Sequence, residues 1–378
     1  MRNFKGCVLL IVAFLLFMNI PQKVEGAFSV QAQSAILIEQ NTGRILFEKD
    51  PHEKMRIASI TKIMTAILAI ESGKLDEKVK VSSRAPYTEG SSIYLQEGQE
   101  ITLRDLVYGL MLRSGNDAAV AIAEYVGGSL EGFVYLMNQK AEEIGMMNTQ
   151  FRNPHGLDDH NDHYSTAYDM AKLTQYAMRN EEYREISSTK VHKTEDGKYV
   201  WRNKNKMLNL YEYSTGGKTG YTKLAKRTLV STASNDSLEL IAVTLNDSDD
   251  WNDHMNMFNR GFSLYENVLI KKDGSLEKID DPFYEKKIFI DREIIYPLTE
   301  EEKEQVKVDV SLLKPSDQWD DPEDVPEKVG QLAVILNDEK IAERAIYFNH
   351  EKMEQEQKSL MDHFRALFSI VTGAGQDG

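Results

Sequence analysis

"RIASITKIMTAILAIES", residues 56–72, sets a serine and a lysine three apart at the head of an apolar stretch. Ile60, Ile63, Met64, Ile67 and Leu68 recur at the period of an amphipathic helix, and Gly73 ends it. That period puts Ser59 in the first helical turn and Lys62 one turn along on the same face. The pattern Ser-x-x-Lys occurs at Ser59–Lys62, Ser187–Lys190, Ser275–Lys278 and Ser311–Lys314, so alone it decides nothing. Residues downstream of the first pair distinguish it from the others.

Working outward, "AILIEQNTGRILFE" (35–48) reads as two short strands around an Asn-Thr-Gly turn. "TLRDLVYGLMLRSGND" begins as a helix capped by Thr102, with Asp105 in its first turn. It stops at Ser114-Gly115-Asn116, and "DAAVAIAEYVGG" opens the next helix, which leaves Ser114 and Asn116 on a tight loop. "GGKTGYT" (216–222) leads into β-rich runs at 228–234 and 238–246 joined at Asn235-Asp236, an antiparallel sheet with Lys218-Thr219-Gly220 on its edge. Helices mixed with antiparallel strands give an α+β domain over residues 27–270. From 276 to 350 short alternating segments such as "KKIFIDREIIYPL" predict a small all-β domain. The tail, 353–372, places Leu360, Met361, Phe364, Leu367, Phe368 and Val371 on one helical face. Such a face suits a membrane interface or packing against the domain it follows.

A serine hydroxyl is a weak nucleophile near neutral pH and needs a base within hydrogen-bond reach. A lysine one turn away serves when burial or a second cation lowers its pKa. Acyl chemistry further requires donors for the oxyanion and groups that hold the substrate. Ser-x-Asn occurs once, at Ser114–Asn116, and Lys-Thr-Gly once, at 218–220. Only Ser59–Lys62 has both downstream in that order. Each element also has a purely structural explanation: a helix cap, a turn, and a charged edge strand. Their coincidence in one chain favours chemistry.

These three elements together resemble the penicillin-binding proteins and class A β-lactamases. Within that superfamily, "RIASITKIMTA", "GLMLRSGNDAAVAIAEYVGGS", "NPHGLDDHNDHYSTAYDMAKLT" and "STGGKTGYT" look like blocks of the low-molecular-weight D-alanyl-D-alanine carboxypeptidases. The likeness is greatest to the sporulation enzymes that trim spore-cortex peptidoglycan. It implies a β-lactamase/transpeptidase-like domain and an acyl-enzyme mechanism on stem peptides ending in D-Ala-D-Ala, with β-lactams as covalent inhibitors. Carried over by residue, Ser59 is the nucleophile, Lys62 its base, and Ser114 completes the proton path. Asn116 holds the peptide amide, while Lys218, Thr219 and Gly220 meet the terminal carboxylate. The backbone N–H groups of Ser59 and Tyr221 form the oxyanion hole, and His155 shapes the site without touching substrate. The chain departs from the pattern after Lys-Thr-Gly, where Lys226 and Arg227 replace a small pair. A β-lactamase is disfavoured, since no Glu-x-x-Leu-Asn segment follows Ser-x-Asn. A D,D-endopeptidase, or a slowly deacylating sensor or wall-binding module, stays open.

The bulk numbers agree with an exported, soluble-type protein. The 378 residues are 41% hydrophobic and 28% charged, with a formal net charge of −15. That sign argues against nucleic-acid partners, which need a basic face. Arg2 and Lys5 precede the apolar run "CVLLIVAFLLFMNI", and Gly26-Ala27 come after it, which predicts a secretory signal over 1–26. Export places the protein at the outer face of the cytoplasmic membrane or in the wall. Cys7 is the single cysteine and leaves with the signal, so no disulfide or thiolate metal site is expected. "HGLDDHNDH" (155–163) is the one histidine cluster, and it reads as a polar surface loop rather than a metal site. Neither a metal nor an organic cofactor is expected.

Overall fold

The computed structural model describes residues 28–277, 279–319 and 321–372, with backbone alone at 354, 356, 357 and 365–372. The expected signal segment, Cys7 and Lys278 lie outside the described residues, as do the side chains of Leu367, Phe368 and Val371. Contacts divide the chain after Gln31, and the described residues from Ala32 onward form one compact unit.

Within it, β1 (Ser34–Glu39), β2 (Ile45–Lys49), β3 (Ser214–Thr222), β4 (Lys226–Ser234) and β5 (Glu239–Leu245) form an antiparallel sheet in the order β2-β1-β5-β4-β3. Every residue of β1 is buried, which requires cover on both faces. The helix α5 (Ala167–Ala177) packs on β5, β1 and β4, with α1 (Lys62–Glu71), α2 (Leu103–Arg113), α3 (Asn116–Gly127) and α4 (Leu130–Ile144) packed together with it, and α6 (Asp250–Leu264) packs against β4, β5 and β1. β3 is the edge strand, as the sequence pattern predicts.

α1 departs from its amphipathic reading. Every residue from Lys62 to Ile70 is buried, because α2, α3, α4 and α5 all pack around it. A helix surrounded in this way needs no polar face, and each buried Ile, Leu or Met side chain contributes about 1.5–3 kcal/mol. Lys62 is the one ionisable group in that helix core.

After α6 the chain enters a second antiparallel sheet built from Gly274–Ser275, Ile288–Ile290, Lys307–Leu312, Lys328–Leu336 and Glu339–Phe348. Its core includes Tyr284, Val329, Val334 and Ile346. Arg44, in the β1–β2 turn, ties the first sheet to the separate two-stranded ribbon of Glu266–Lys271 and Ile294–Leu298 and the turn after it. The guanidinium donates to Pro297 O and Glu302, and lies 5.1 Å and 5.2 Å from the ring centroids of Tyr265 and Tyr296. The fold is α+β with an all-β C-terminal domain. No helix among the described residues is long and apolar enough to cross a membrane.

Candidate active site

The α-helix begins at Lys62, and Ser59 occupies a 3-10 turn (Ala58–Thr61) just before it. Tertiary contacts hold the turn there. Thr228 Oγ1 on β4 donates to Ile57 O at 2.9 Å, and Thr61 Oγ1 donates to Ala58 O at 2.8 Å. Ala58 has φ 49°, a strained value for a residue with a Cβ. Gly156 passes so close beneath that a Cβ on it would sit 1.8 Å from Ala58 O. On the other side, a Cβ on Gly220 would meet Ser59 N at 3.0 Å and Thr228 Oγ1 at 2.3 Å. Two glycines thus let a loop and the edge strand close on the Ser59 turn.

Lys62 Nζ lies 3.0 Å from Ser59 Oγ, 2.7 Å from Asn116 Oδ1 and 2.7 Å from the carbonyl oxygen of His155. Asn116 Nδ2 donates to Glu89 O at 2.5 Å, which fixes the amide with its oxygen toward the lysine. Burial pushes the Lys62 pKa well below its ordinary value, and the Lys218 and Lys204 charges push it the same way. A neutral amine has two N–H donors and one lone pair. Asn116 Oδ1 and His155 O are pure acceptors, so they use both donors and leave the lone pair facing the Ser59 hydroxyl. That is the arrangement of a base, independent of any analogy.

Lys218 is also buried. Its Nζ donates to Ser114 Oγ at 3.1 Å and to Thr219 O at 2.7 Å. Burial first, then Lys204, lowers its pKa to about 7. Ser114 holds φ 62° at the end of α2, a conformation that aims its hydroxyl at Lys218. Ser59, Ser114, Thr219, Gly220 and Tyr221 line an open groove of about 490 Å³, and the buried Lys218 ammonium reaches its edge at Ser114.

The histidine cluster differs from its expected surface character. His155 and His163 are buried, and burial lowers each pKa to about 3, so both are neutral. His155 contributes its backbone carbonyl to Lys62 and accepts from Leu157 N on Nδ1. His163 Nδ1 accepts from Arg152 N, so its Nε2–H points to Thr61 Oγ1 at 2.9 Å. No group of three or more metal-ligating side chains occurs among the described residues.

The sequence pattern did not find the rest of the groove lining: Ser91, Lys204, Lys206, Asp250 and Trp251. Arg227, flagged as a departure, belongs there too. It makes a two-pronged ion pair with Asp250 and lies 5.8 Å from the Trp251 ring centroid. Ser91 is carried by a loop organised by Asp117. That fully buried carboxylate accepts from Ser92 Oγ at 2.6 Å and from Ile93 N and Leu95 N at 3.1 Å. Asp117→Ala leaves those buried N–H groups without acceptors. We expect about 3 kcal/mol lost, seen as a fall of roughly 6–10 °C in the midpoint of thermal unfolding. An unchanged midpoint would show that the loop is organised some other way.

A family model described as D-alanyl-D-alanine carboxypeptidase matches residues 21–249, and one for the penicillin-binding protein 5 C-terminal domain matches residues 265–354. D-alanyl-D-alanine carboxypeptidase DacF of Bacillus subtilis (strain 168) is 36% identical over 286 residues, 72% of this chain and 73% of the relative. DacC of Escherichia coli (strain K12) is 36% identical over 278 residues, 67% of each chain. The crystal structure of penicillin binding protein 5 from Haemophilus influenzae superposes with a TM-score of 0.72 at 25% identity, covering 85% of this chain and 97% of that one. Matched through its serine–lysine domain and its β-domain alike, the chain belongs to the D-alanyl-D-alanine carboxypeptidase family of hydrolases.

Proposed function

We propose that the protein releases the terminal D-alanine from peptidoglycan stem pentapeptides through an acyl-enzyme on Ser59. Ser59 Oγ attacks the carbonyl between the two D-alanines while its proton passes to Lys62 Nζ. The C–N bond then breaks and the departing amine takes up a proton relayed through Lys62 or Ser114. Water attacks the ester and regenerates the hydroxyl. The observation that carries this reading is Lys62 Nζ, buried 3.0 Å from Ser59 Oγ with two pure acceptors as its other partners.

Asn116 holds both Lys62 and the substrate amide, and the N–H groups of Ser59 and Tyr221 receive the oxyanion. Lys218, buried against Ser114, puts its charge on Ser114 and Lys62 and, together with the Thr219 hydroxyl, meets the terminal carboxylate. Gly220 keeps the strand close, and His155 positions Lys62 through its carbonyl. An open strand edge beside the nucleophile suits an extended peptide. Residues 27–270 are assigned to this peptidase domain and 276–350 to a β-domain that sets it off from a surface. Export on residues 1–26 and peripheral membrane contact through 353–372 complete the proposal. Leu360, Met361 and Phe364 are 71%, 56% and 68% exposed, an apolar row that supports such a contact. The likeness to spore-cortex enzymes suggests action in the space around the forespore.

The test is incubation of the mature protein with pentapeptide-bearing peptidoglycan, with free D-alanine and muropeptides quantified. Stoichiometric D-alanine with pentapeptide converted to tetrapeptide is expected. Cleavage of cross-linked dimers without free D-alanine would replace this reading with an endopeptidase.

A further inference from the structure

The C-terminal sheet has two edges of different kinds. At one the strand is only Gly274–Ser275. At the other it is Lys307–Leu312, paired along its whole length with Lys328–Leu336 and without a bulge. Exposed edges are ordinarily kept short, kinked, broken by proline or given an inward-pointing charge, because their free N–H and C=O groups pair with any strand that meets them. The stretch "QVKVDVSLL" (305–313) has none of these devices. Val306, Val308, Val310 and Leu312 alternate along one face. Val308 and Val310 are 45% and 36% exposed, although Val334 and Leu332, opposite them in the ladder, are buried. Lys307 and Asp309 lie on the other face, and among the described residues neither has an ion-pair partner.

The register says which backbone groups are free. Leu313 N donates to Val329 O at 2.8 Å, the residue directly opposite it when the ladder is continued. Residues 307, 309 and 311 therefore bond inward to Lys328–Leu336, while Val308, Val310 and Leu312 turn their N–H and C=O outward. A strand that adds here sets its own outward residues against these.

A second copy of the same strand, antiparallel about a two-fold axis, meets the requirement in a few registers only. Centred on Lys307 or on Asp309, the pairing sets that charge opposite itself, which is unfavourable. Centred on Val310, it sets Asp309 opposite Ser311 and leaves the charges unpaired. Centred on Val308, it sets Lys307 of each copy opposite Asp309 of the other, Val308 opposite Val308, and Val306 opposite Val310. Opposite charges on one face and β-branched pairs on the other are what stabilises an antiparallel ladder. We propose that two copies of the protein join through the Lys307–Leu312 strand, with Val308 on the two-fold axis, so that their C-terminal sheets run on as one.

Sedimentation equilibrium of the mature protein over a wide range of concentrations tests the proposal, and a monomer–dimer equilibrium is expected. Asp309→Lys puts lysine opposite lysine twice and should weaken the dimer by at least about tenfold. Adding Lys307→Asp to that variant pairs the charges again and should restore most of the affinity. Cys7 lies in the expected signal, so mature Val308→Cys carries a single thiol. Directly opposite residues bring their Cα atoms about 5.5 Å apart, and this variant should form a disulfide-linked dimer on oxidation. Val310→Cys, whose two copies lie about 13 Å apart in this register, should not. An unaltered far-UV circular dichroism spectrum verifies that each variant is folded, so none of these readouts depends on the reaction at Ser59. A monomer at every concentration overturns the proposal and leaves the strand to a partner of another sequence. A dimer unmoved by Asp309→Lys, one not recovered in the double variant, or equal cross-linking at 308 and 310 overturns it as well, because association then runs through another surface or register.

Discussion

Ser59→Ala abolishes covalent labelling by penicillin and lowers kcat/KM for D-alanine release by at least about 10⁴-fold, the scale seen when a catalytic serine is removed. The expected loss is this large because nothing else in the groove can take over. Ser114 Oγ accepts from Lys218 rather than from Lys62. The other three Ser-x-x-Lys pairs offer no second nucleophile. Ser187 is buried and its hydroxyl donates to Arg184 O, Ser311 lies on the exposed Lys307–Leu312 strand, and Ser275 Oγ accepts from Lys352. The variant should fold normally, since it gives up one hydrogen bond on an already constrained turn, about 1 kcal/mol. Intact unfolding midpoint with lost labelling is therefore the diagnostic combination. D-alanine release that survives in Ser59→Ala would show that the wrong serine has been assigned.

Much of this architecture is legible in the sequence because it is set by local patterns. The Asn-Thr-Gly turn, the Thr102 cap and the alternating runs after Lys-Thr-Gly each specify their own element, and the edge position of β3 follows from the run order. The features that could not be read depend on distant partners. The helix starts at Lys62 instead of Ser59 because Thr228, 171 residues away from Ile57, and Gly156 pin the preceding turn in a non-helical shape. α1 is buried all round because other helices cover the face that its few polar residues mark as open in the pattern. His155 and His163 look like surface residues by composition, yet each finds backbone or hydroxyl partners inside, and a buried polar group needs nothing more. Lys218 shows the limit most clearly. Its motif identifies it as functional, while the direction of its ammonium, toward Ser114 and Thr219 O, is a property of packing. Lys204 has no sequence signal at all, since it reaches the cleft only through bonds to Leu112 and Ser91.

The buried cations carry a thermodynamic cost whose sign can be worked out. The folded pKa of Lys218, about 7, lies below the 10.5 of a free lysine. Between those values the unfolded chain binds a proton that the folded chain has released, so unfolding takes up a proton and stability rises with pH. Below about pH 7 both states hold the proton and the full penalty persists; above about 10.5 neither does and it vanishes. Lys218→Met has no such titration. Relative to this variant, the wild type is expected to gain about 3 kcal/mol between pH 7 and pH 10. The two acceptors deprived of a donor, Ser114 Oγ and Thr219 O, cost the variant a roughly fixed amount, which shifts the offset but not the slope. Above pH 7 Lys218 is itself mostly neutral and no longer depresses Lys62, whose burial and Lys204 neighbour are common to both proteins. Denaturant unfolding at pH 7, 8, 9 and 10, followed by the fluorescence of Trp201 and Trp251, measures the difference directly. Groups common to both proteins cancel in it. Parallel stability curves would mean that Lys218 keeps an ordinary pKa in the folded state. A wild type that gains on the variant as pH rises would mean that the enzyme gives up stability at neutral pH to keep the Lys218 amine dry beside Ser114.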